Sequence, residues 1–452
     1  MRATTARRPA QAATVEAAAP KRKRAVLALT LALIATLAIR IAHVTWGAQE
    51  PIRSDASGYD VAARRLIATG SYAYPIGRAL WENDVVRDDA RERFHRLPAN
   101  AWAMPGYPCF VAAIYRIAGE GPSRFEAVRL AQAVLSTAAV AGCWWIARTL
   151  FGAPVAWVAL ALNACYPANV LATGYLLTEA LFGALLTAQV ALVLRAHATG
   201  RTLDHALLGV VTAAAAYVRP VGLLVPAALP LLAWVSPPAP RGTRASRGSR
   251  AVAFAVLVLV VAALIAPWVV RNQQRYAAFV PTTSATALAI VQGELKARGM
   301  FVPEVSAQLA DPARTGWNDH RYAEEVAARA RALAPPLTAQ ARRRMEWTRL
   351  VMLGQALTTP FSFAGPPVPV TSPGFAMQAA ILTLALVGLW RHRRDARVVI
   401  LLGGIPLYFV AVHWAVWNLW SRYLYPVMPL LVVLAAAGMV ALVSGARAAR
   451  RA

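Results

Sequence analysis

Apolar runs of about 15 to 25 residues recur along this chain, separated either by short basic intervals or by long stretches of mixed polarity. A helix rises 1.5 Å per residue, so about 20 apolar residues cross about 30 Å of hydrocarbon. In order, the runs predict spans near 25–46, 127–147, 154–174, 180–196, 206–218, 221–235, 251–270, 375–390, 398–417 and 426–444. None shows the two-residue alternation of a barrel strand, and lipid admits only helices or closed barrels. The expected fold is an all-α polytopic membrane protein, a bundle of about ten transmembrane helices.

Two long intervals interrupt the runs, 47–126 and 271–374. In the first, Tyr59, Ala62, Ala63, Leu66 and Ile67 share one helical face, Ser57 with Asp60 fits a capping box, and Gly70 supplies a stop. A short amphipathic helix along the membrane surface is expected there. Asp55 stands just before its cap, near the positive end of the dipole, and two readings stay open: a second capping acid, or a chemical group. Ala103-Met104-Pro105-Gly106-Tyr107-Pro108 predicts a turn, and Phe110 to Ala118 a second interfacial helix. The later interval holds a small, hydroxyl-rich stretch, Thr282 to Gly293, and a charged helical one, Asp319 to Leu333. Arg342-Arg343-Arg344 is either an anion patch or a solvated helix face. Four regions follow: a disordered basic tail 1–24, a core 25–270 that includes the loop 47–126, a second loop 271–374, and C-terminal helices 375–452.

Composition agrees with this class: 58% hydrophobic, 15% charged. The formal charge of +26 would suggest nucleic acid in a soluble protein, and its distribution removes that reading. With ten spans, the side holding both termini collects twenty-one basic residues against three acids, Glu16, Asp204 and Asp395. Short cytoplasmic loops concentrate Lys and Arg, so that side is expected to be the cytoplasm. The opposite loops are balanced, with ten basic and ten acidic residues in 47–126 and eleven against seven in 272–374. Function is expected on that outer face. Lys21 to Arg24 precede the first run without a convincing cleavage site after it, which predicts a retained anchor in a cytoplasmic (inner) membrane. Cys109, Cys143 and Cys165 form neither a zinc pattern nor a disulfide framework.

The candidate chemistry is a set of isolated ionisable residues at outer span ends. Glu179 follows span three. Arg40 ends span one, where it either snorkels to the headgroups or meets a lipid phosphate. Arg219, in Tyr217-Val218-Arg219-Pro220, breaks one apolar run into a hairpin, and a carbonyl, an acid or a phosphate would satisfy it. Arg271 follows Trp268, and Arg422 sits among interfacial aromatics.

Taken in order, these features resemble the GT-C membrane glycosyltransferases, specifically the protein O-mannosyltransferase and lipid A aminoarabinose transferase group. The resemblance rests on Asp55 with Tyr59, Ala63, Leu66, Gly70 and Tyr72; on Pro105-Gly106-Tyr107-Pro108; on Thr178-Glu179 and Arg219-Pro220; on Pro267-Trp268 with Arg271-Asn272; and on Ser421-Arg422-Tyr423 with Pro426 and Pro429. It implies transfer of a sugar from a polyprenyl-phosphate donor on the outer face, with inversion. The acceptor hydroxyl would belong to a protein, a glycolipid or a polysaccharide. Asp55 takes the place of the catalytic base, and Glu179 that of a second acid that orients the acceptor or helps bind a divalent metal. Arg219, Arg271 and Arg422, with Arg40, Arg64 and Tyr59, complete the expected donor-binding set. Two departures stand out: Ala103-Met104 replaces the usual basic residue before the matching proline, and Ala56 replaces a second acid after Asp55. A flippase of lipid-linked sugars and a noncatalytic envelope-assembly partner are the rival readings.

Overall fold

The computed structural model describes residues 8–47, 51–52, 55–75, 98–235, 247–297, 318–334, 338–358, 373–416 and 421–449. Every regular element among them is helical. In order they are α1 Arg8–Trp46, α2 Asp55–Thr69, α3 Gly106–Ala118 and α4 Arg124–Phe151. A span α5 follows, broken by 54° between Ala153–Cys165 and Pro167–Gly174. Then come α6 Glu179–Thr199, α7 Thr202–Val218, α8 Pro220–Val235 and α9 Arg247–Tyr276. The rest are α10 Thr286–Ala297, α11 Asp319–Leu333, α12 Ala339–Thr358, α13 Pro373–Arg391, α14 Ala396–Ala415 and α15 Met428–Ala449, the last preceded by a short helical segment, Ser421–Leu424 and Tyr425–Val427.

Each of the ten expected spans coincides with one of these helices. Among the described residues seven helices are long and apolar enough to cross a membrane, and the bent pair makes an eighth. The remaining two, α7 and α8, are shorter. The break between them falls at Arg219, whose extended backbone (φ −147°) is followed by a 3-10 stretch from Pro220 to Ala227. Proline lacks the N–H a continuing helix needs and restricts the residue before it, which ends α7 there. The chain is an integral, multi-pass all-α membrane protein.

α6 and α15 are the most enclosed spans, packed with α4 and α5, whereas α1 and α9 turn most of their surface outward. In lipid, close helix packing relies on small side chains rather than on hydrophobic exclusion. The crossing of α13 and α15 follows this rule. A Cβ on Gly388 would lie 2.1 Å from the Leu434 carbonyl oxygen, and one on Gly438 would lie 2.1 Å from that of Leu384.

Three local expectations change. The helix of α1 begins at Arg8, so residues 8–24 of the segment expected as a disordered tail are helical and continuous with span one; their alanine-rich sequence has high intrinsic helix propensity. α2 starts at Asp55, two residues ahead of the expected cap, and Ser57 is buried within its first turn. Asp60 does not close a capping box. Its fully buried carboxylate accepts from Tyr115 Oη at 2.8 Å and Arg124 Nε at 3.1 Å, tying α2 to α3 and α4. α2 ends as expected at Gly70, whose N–H returns to Leu66 O.

The two long intervals also pack together. α10 and α11 form a small layer through Leu288, Val291, Leu295, Tyr322, Val326 and Ala330, and Trp102 of the first interval packs against it. Arg342, Arg343 and Arg344 are exposed on α12.

Candidate active site

Four sequence-distant residues meet where α2, α6, the α7–α8 break and the segment before α15 converge. Asp55 is the first residue of α2, where the unpaired N–H groups of the first turn favour a carboxylate. Arg422 Nη2 donates to Asp55 Oδ2 at 2.5 Å, a contact between residues 367 apart. The Arg422 Nε lies 3.9 Å from Glu179 Oε1. Glu179 opens α6, is 1% exposed, and accepts from Arg219 Nη2 at 2.5 Å. Arg219 Nε also donates to Thr178 Oγ1 at 2.8 Å, and that hydroxyl reaches Glu179 Oε2 at 3.3 Å. Two carboxylates and two guanidiniums thus form one chain of contacts with no net charge, in the order Asp55, Arg422, Glu179, Arg219.

Aromatic rings enclose this chain. Tyr423 lies under both guanidiniums, 5.4 Å from Arg219 and 5.1 Å from Arg422, and its hydroxyl is 3.4 Å from Arg422 Nη2. His413 stacks on the same ring at 5.2 Å and 19°. Phe182 is 5.7 Å from Arg219. These cation–π contacts hold planar guanidiniums without using their N–H donors. Tyr59 packs edge-on against Tyr107 at 4.8 Å and Tyr74 at 5.6 Å. Burial first, and then the Asp55 charge, push its phenol above the ordinary value, so it stays a neutral hydroxyl.

The Pro105-Gly106 turn has a definite task here. A Cβ on Gly106 would lie 2.6 Å from the Tyr217 carbonyl carbon and oxygen and 2.9 Å from Val218 N. The start of α3 therefore rests directly on the backbone that leads into Arg219. Tyr107 Oη then donates to Gln132, whose amide donates to the carbonyls of Thr173 and Tyr175 just before Glu179. The turn, Gln132 and the loop before α6 hold the two halves of the Glu179–Arg219 pair in register.

The remaining arginines of the expected donor-binding set have protein partners of their own. Arg40 neither snorkels nor points at this cluster. It is fully buried and donates to Ser136 Oγ at 2.8 Å and to the carbonyls of Thr36, Ala164 and Asn163 at 3.1 to 3.4 Å. The α5 break presents those last two carbonyls, and a guanidinium with five donors satisfies them. Arg64 turns to Glu120, 3.4 Å away. Arg271 donates to Asn100 O at 3.0 Å and Asn272 Oδ1 at 2.8 Å and stacks on Trp268 at 4.8 Å. The Trp268 ring it stacks on packs in turn against Tyr72, 6.0 Å between centroids.

Asp319 itself went unnoticed in the sequence beyond marking a helix start. It is 1% exposed and accepts from Ala101 N at 3.0 Å, Tyr276 Oη at 2.7 Å and the Ser284 hydroxyl. One acid therefore binds the first interval, the end of α9 and the second interval together. Thr178 and Tyr423 entered the sequence analysis only through the resemblance, and His413 carried no signal beyond being a lone histidine in an apolar run.

A divalent metal fits these residues poorly. Among the described residues no three His, Cys, Asp or Glu side chains form a metal-binding group. Both acids of the cluster already receive guanidinium N–H groups, and a dication between them would face two fixed positive charges. Acids in 76–97 lie outside the described residues.

The fold is that of the GT-C membrane proteins, a polytopic bundle of helices. Residues 103–270 match the family described as dolichyl-phosphate-mannose-protein mannosyltransferase. The structure resembles the oligosaccharyltransferase AglB from Archaeoglobus fulgidus in complex with an inhibitory peptide and a dolichol-phosphate, with TM-score 0.55 and 13% identity, covering 95% of this chain and 52% of that one. It also resembles the Archaeoglobus fulgidus oligosaccharyltransferase in complex with Zn and sulfate, with TM-score 0.51 and 15% identity, covering 92% and 49%. ArnT from Cupriavidus metallidurans bound to undecaprenyl phosphate aligns at TM-score 0.41 and 15% identity, covering 92% and 77%. The chain spans about half the length of the oligosaccharyltransferases it matches. No curated protein matches it.

Proposed function

We propose that this protein is an inverting glycosyltransferase that moves a sugar from a polyprenyl-phosphate donor to an acceptor hydroxyl, with Asp55 as general base. The observation that carries the reading is the convergence of Asp55, Glu179, Arg219 and Arg422 from four distant parts of the chain into one cluster. The matched family and the GT-C fold support it.

The chemistry follows from the groups present. Asp55 takes the proton of the acceptor hydroxyl as that oxygen bonds to the anomeric carbon. The bond from the anomeric carbon to the phosphate oxygen breaks, and the electron pair leaves on the polyprenyl phosphate. Phosphate is a good leaving group, so fixed positive charge matters more than a general acid. Arg422 supplies it through charge-assisted hydrogen bonds, and Glu179 positions Arg219 alongside. The acceptor is a hydroxyl of a protein, glycolipid or polysaccharide. The reaction face is the one opposite the basic loops, outside the cytoplasmic membrane, with both termini inside.

The decisive experiment is transfer from a radiolabelled polyprenyl-phosphate sugar by the purified full chain and by Asp55→Asn. The variant should lose turnover at least about a thousandfold, within the range of general-base removal, while remaining folded. Retained turnover in Asp55→Asn would overturn the assignment.

A further inference from the structure

The Asp55–Arg422 contact poses a conflict for the reaction just described. Asp55 Oδ2 receives an N–H from Arg422 at 2.5 Å, so proton acceptance at that oxygen competes with the guanidinium. The same guanidinium is the one best placed to meet a departing phosphate. The four-residue cluster carries no net charge, so an arriving phosphate finds no excess of positive charge unless an existing pair opens.

The two pairs differ in how readily they open. In the Arg219–Glu179 pair the side chains are 13% and 2% exposed, and Thr178 braces both partners. In the Arg422–Asp55 pair they are 20% and 33% exposed. Among the described residues, Arg422 Nη1 and Asp55 Oδ1 make no hydrogen bond. Arg422 also retains the Tyr423 ring and the 3.9 Å approach to Glu179 when Asp55 is released, so it can turn without losing its seat. A part-exposed pair of this kind holds less firmly than the enclosed Glu179–Arg219 pair, and a phosphate with several acceptor oxygens competes well for a guanidinium.

We propose that Arg422 changes partner during catalysis, leaving Asp55 for the donor phosphate and freeing the base only once a donor is seated. This inference rests on the function proposed above. It makes Arg422 both the phosphate ligand and the lock on the base, and it orders the reaction with donor before acceptor. Asp55 then acts on the acceptor hydroxyl while the leaving phosphate holds the guanidinium; when the lipid phosphate departs, Arg422 closes on Asp55 again.

The exchange predicts an effect that a fixed Arg422 would not produce. Because Asp55 competes with phosphate for Arg422, Asp55→Asn should bind undecaprenyl phosphate about fivefold more tightly than the unmodified protein, the scale of one part-exposed ion pair. Affinity is measured on the detergent-solubilised full chain by titration with undecaprenyl phosphate, in a cycle with Arg422→Gln and with Arg422→Lys as the charge-retaining variant. In the Arg422→Gln background, Asp55→Asn should change affinity less than about twofold. A fivefold gain that persists without Arg422 would overturn the exchange, because it would report only the removal of a repelling charge. No gain in Asp55→Asn, with normal binding by the unmodified protein, would overturn the exchange and leave the proposed function standing. Failure of the unmodified protein to bind the lipid phosphate would overturn both.

Discussion

Glu179→Gln and Asp55→Asn each remove one negative charge from the same cluster, yet their effects on stability should differ severalfold. Glu179 is 1% exposed and its 2.5 Å partner, Arg219, has a side chain 13% exposed. Breaking such a pair strands the surviving charge and costs about 3–5 kcal/mol. Glutamine keeps one oxygen to accept from Arg219, and Thr178 still accepts from its Nε, which places the loss near the lower end, about 3 kcal/mol. Asp55 is 33% exposed and Arg422 20%. That more exposed contact is closer to a surface pair, and its loss should cost about 1 kcal/mol. The assay is thermal unfolding in detergent followed by intrinsic fluorescence of the chain's 14 tryptophans. Glu179→Gln should lower the midpoint by about 5 °C and Asp55→Asn by no more than about 1–2 °C, since larger chains shift less per kcal/mol. Equal midpoints for the two variants, or a larger drop in Asp55→Asn, would refute the division into a structural pair and an exchangeable one.

Two further outcomes follow from packing elsewhere. Gly438→Leu forces α13 and α15 apart, since its Cβ alone would meet Leu384 O at 2.1 Å; overpacking of this kind costs about 1–3 kcal/mol. Gly445→Leu, with open space around the same position of the residue, is the control. A lowered unfolding midpoint in the first variant only is expected, and equal midpoints would count against the close crossing. Asp319→Asn replaces one acceptor by an NH2 group that faces hydrogen-bond donors, leaving buried groups unmatched at about 1–3 kcal/mol. Hydrogen exchange across Asp319–Leu333 should accelerate in that variant; unchanged protection would show that Asp319 does not fasten the second interval.

The spans were legible because hydrocarbon imposes a length and an apolarity that few soluble segments share, and the break at Arg219-Pro220 was legible because proline cannot extend α7. Side-chain direction was not. Arg40 near the end of span one reads identically whether it points to headgroups or inward, and its carbonyl partners become available only through the bend in α5. Asp60 fits a capping box by spacing, but its partners Tyr115 and Arg124 lie 55 and 64 residues away. Asp55 and Arg422 entered the same set through the family resemblance, and no local pattern links positions 367 apart. Arg40 and Arg271 are outer-end arginines and Arg64 lies in the first interval; nothing in their local sequence announces the protein partners that each one meets.

The separation of Asp55 from Arg422 also sets when the site can exist. Membrane helices enter the bilayer in chain order, and Arg422 precedes the last span. Until α15 is in place, Asp55, Glu179 and Arg219 carry one more negative than positive charge at the top of an incomplete bundle. The final helix therefore delivers the missing cation along with its own apolar surface, so completion of the bundle and assembly of the charge cluster are the same event. A chain interrupted just before Arg422 retains nine of the ten expected spans and lacks the cation that pairs with Asp55.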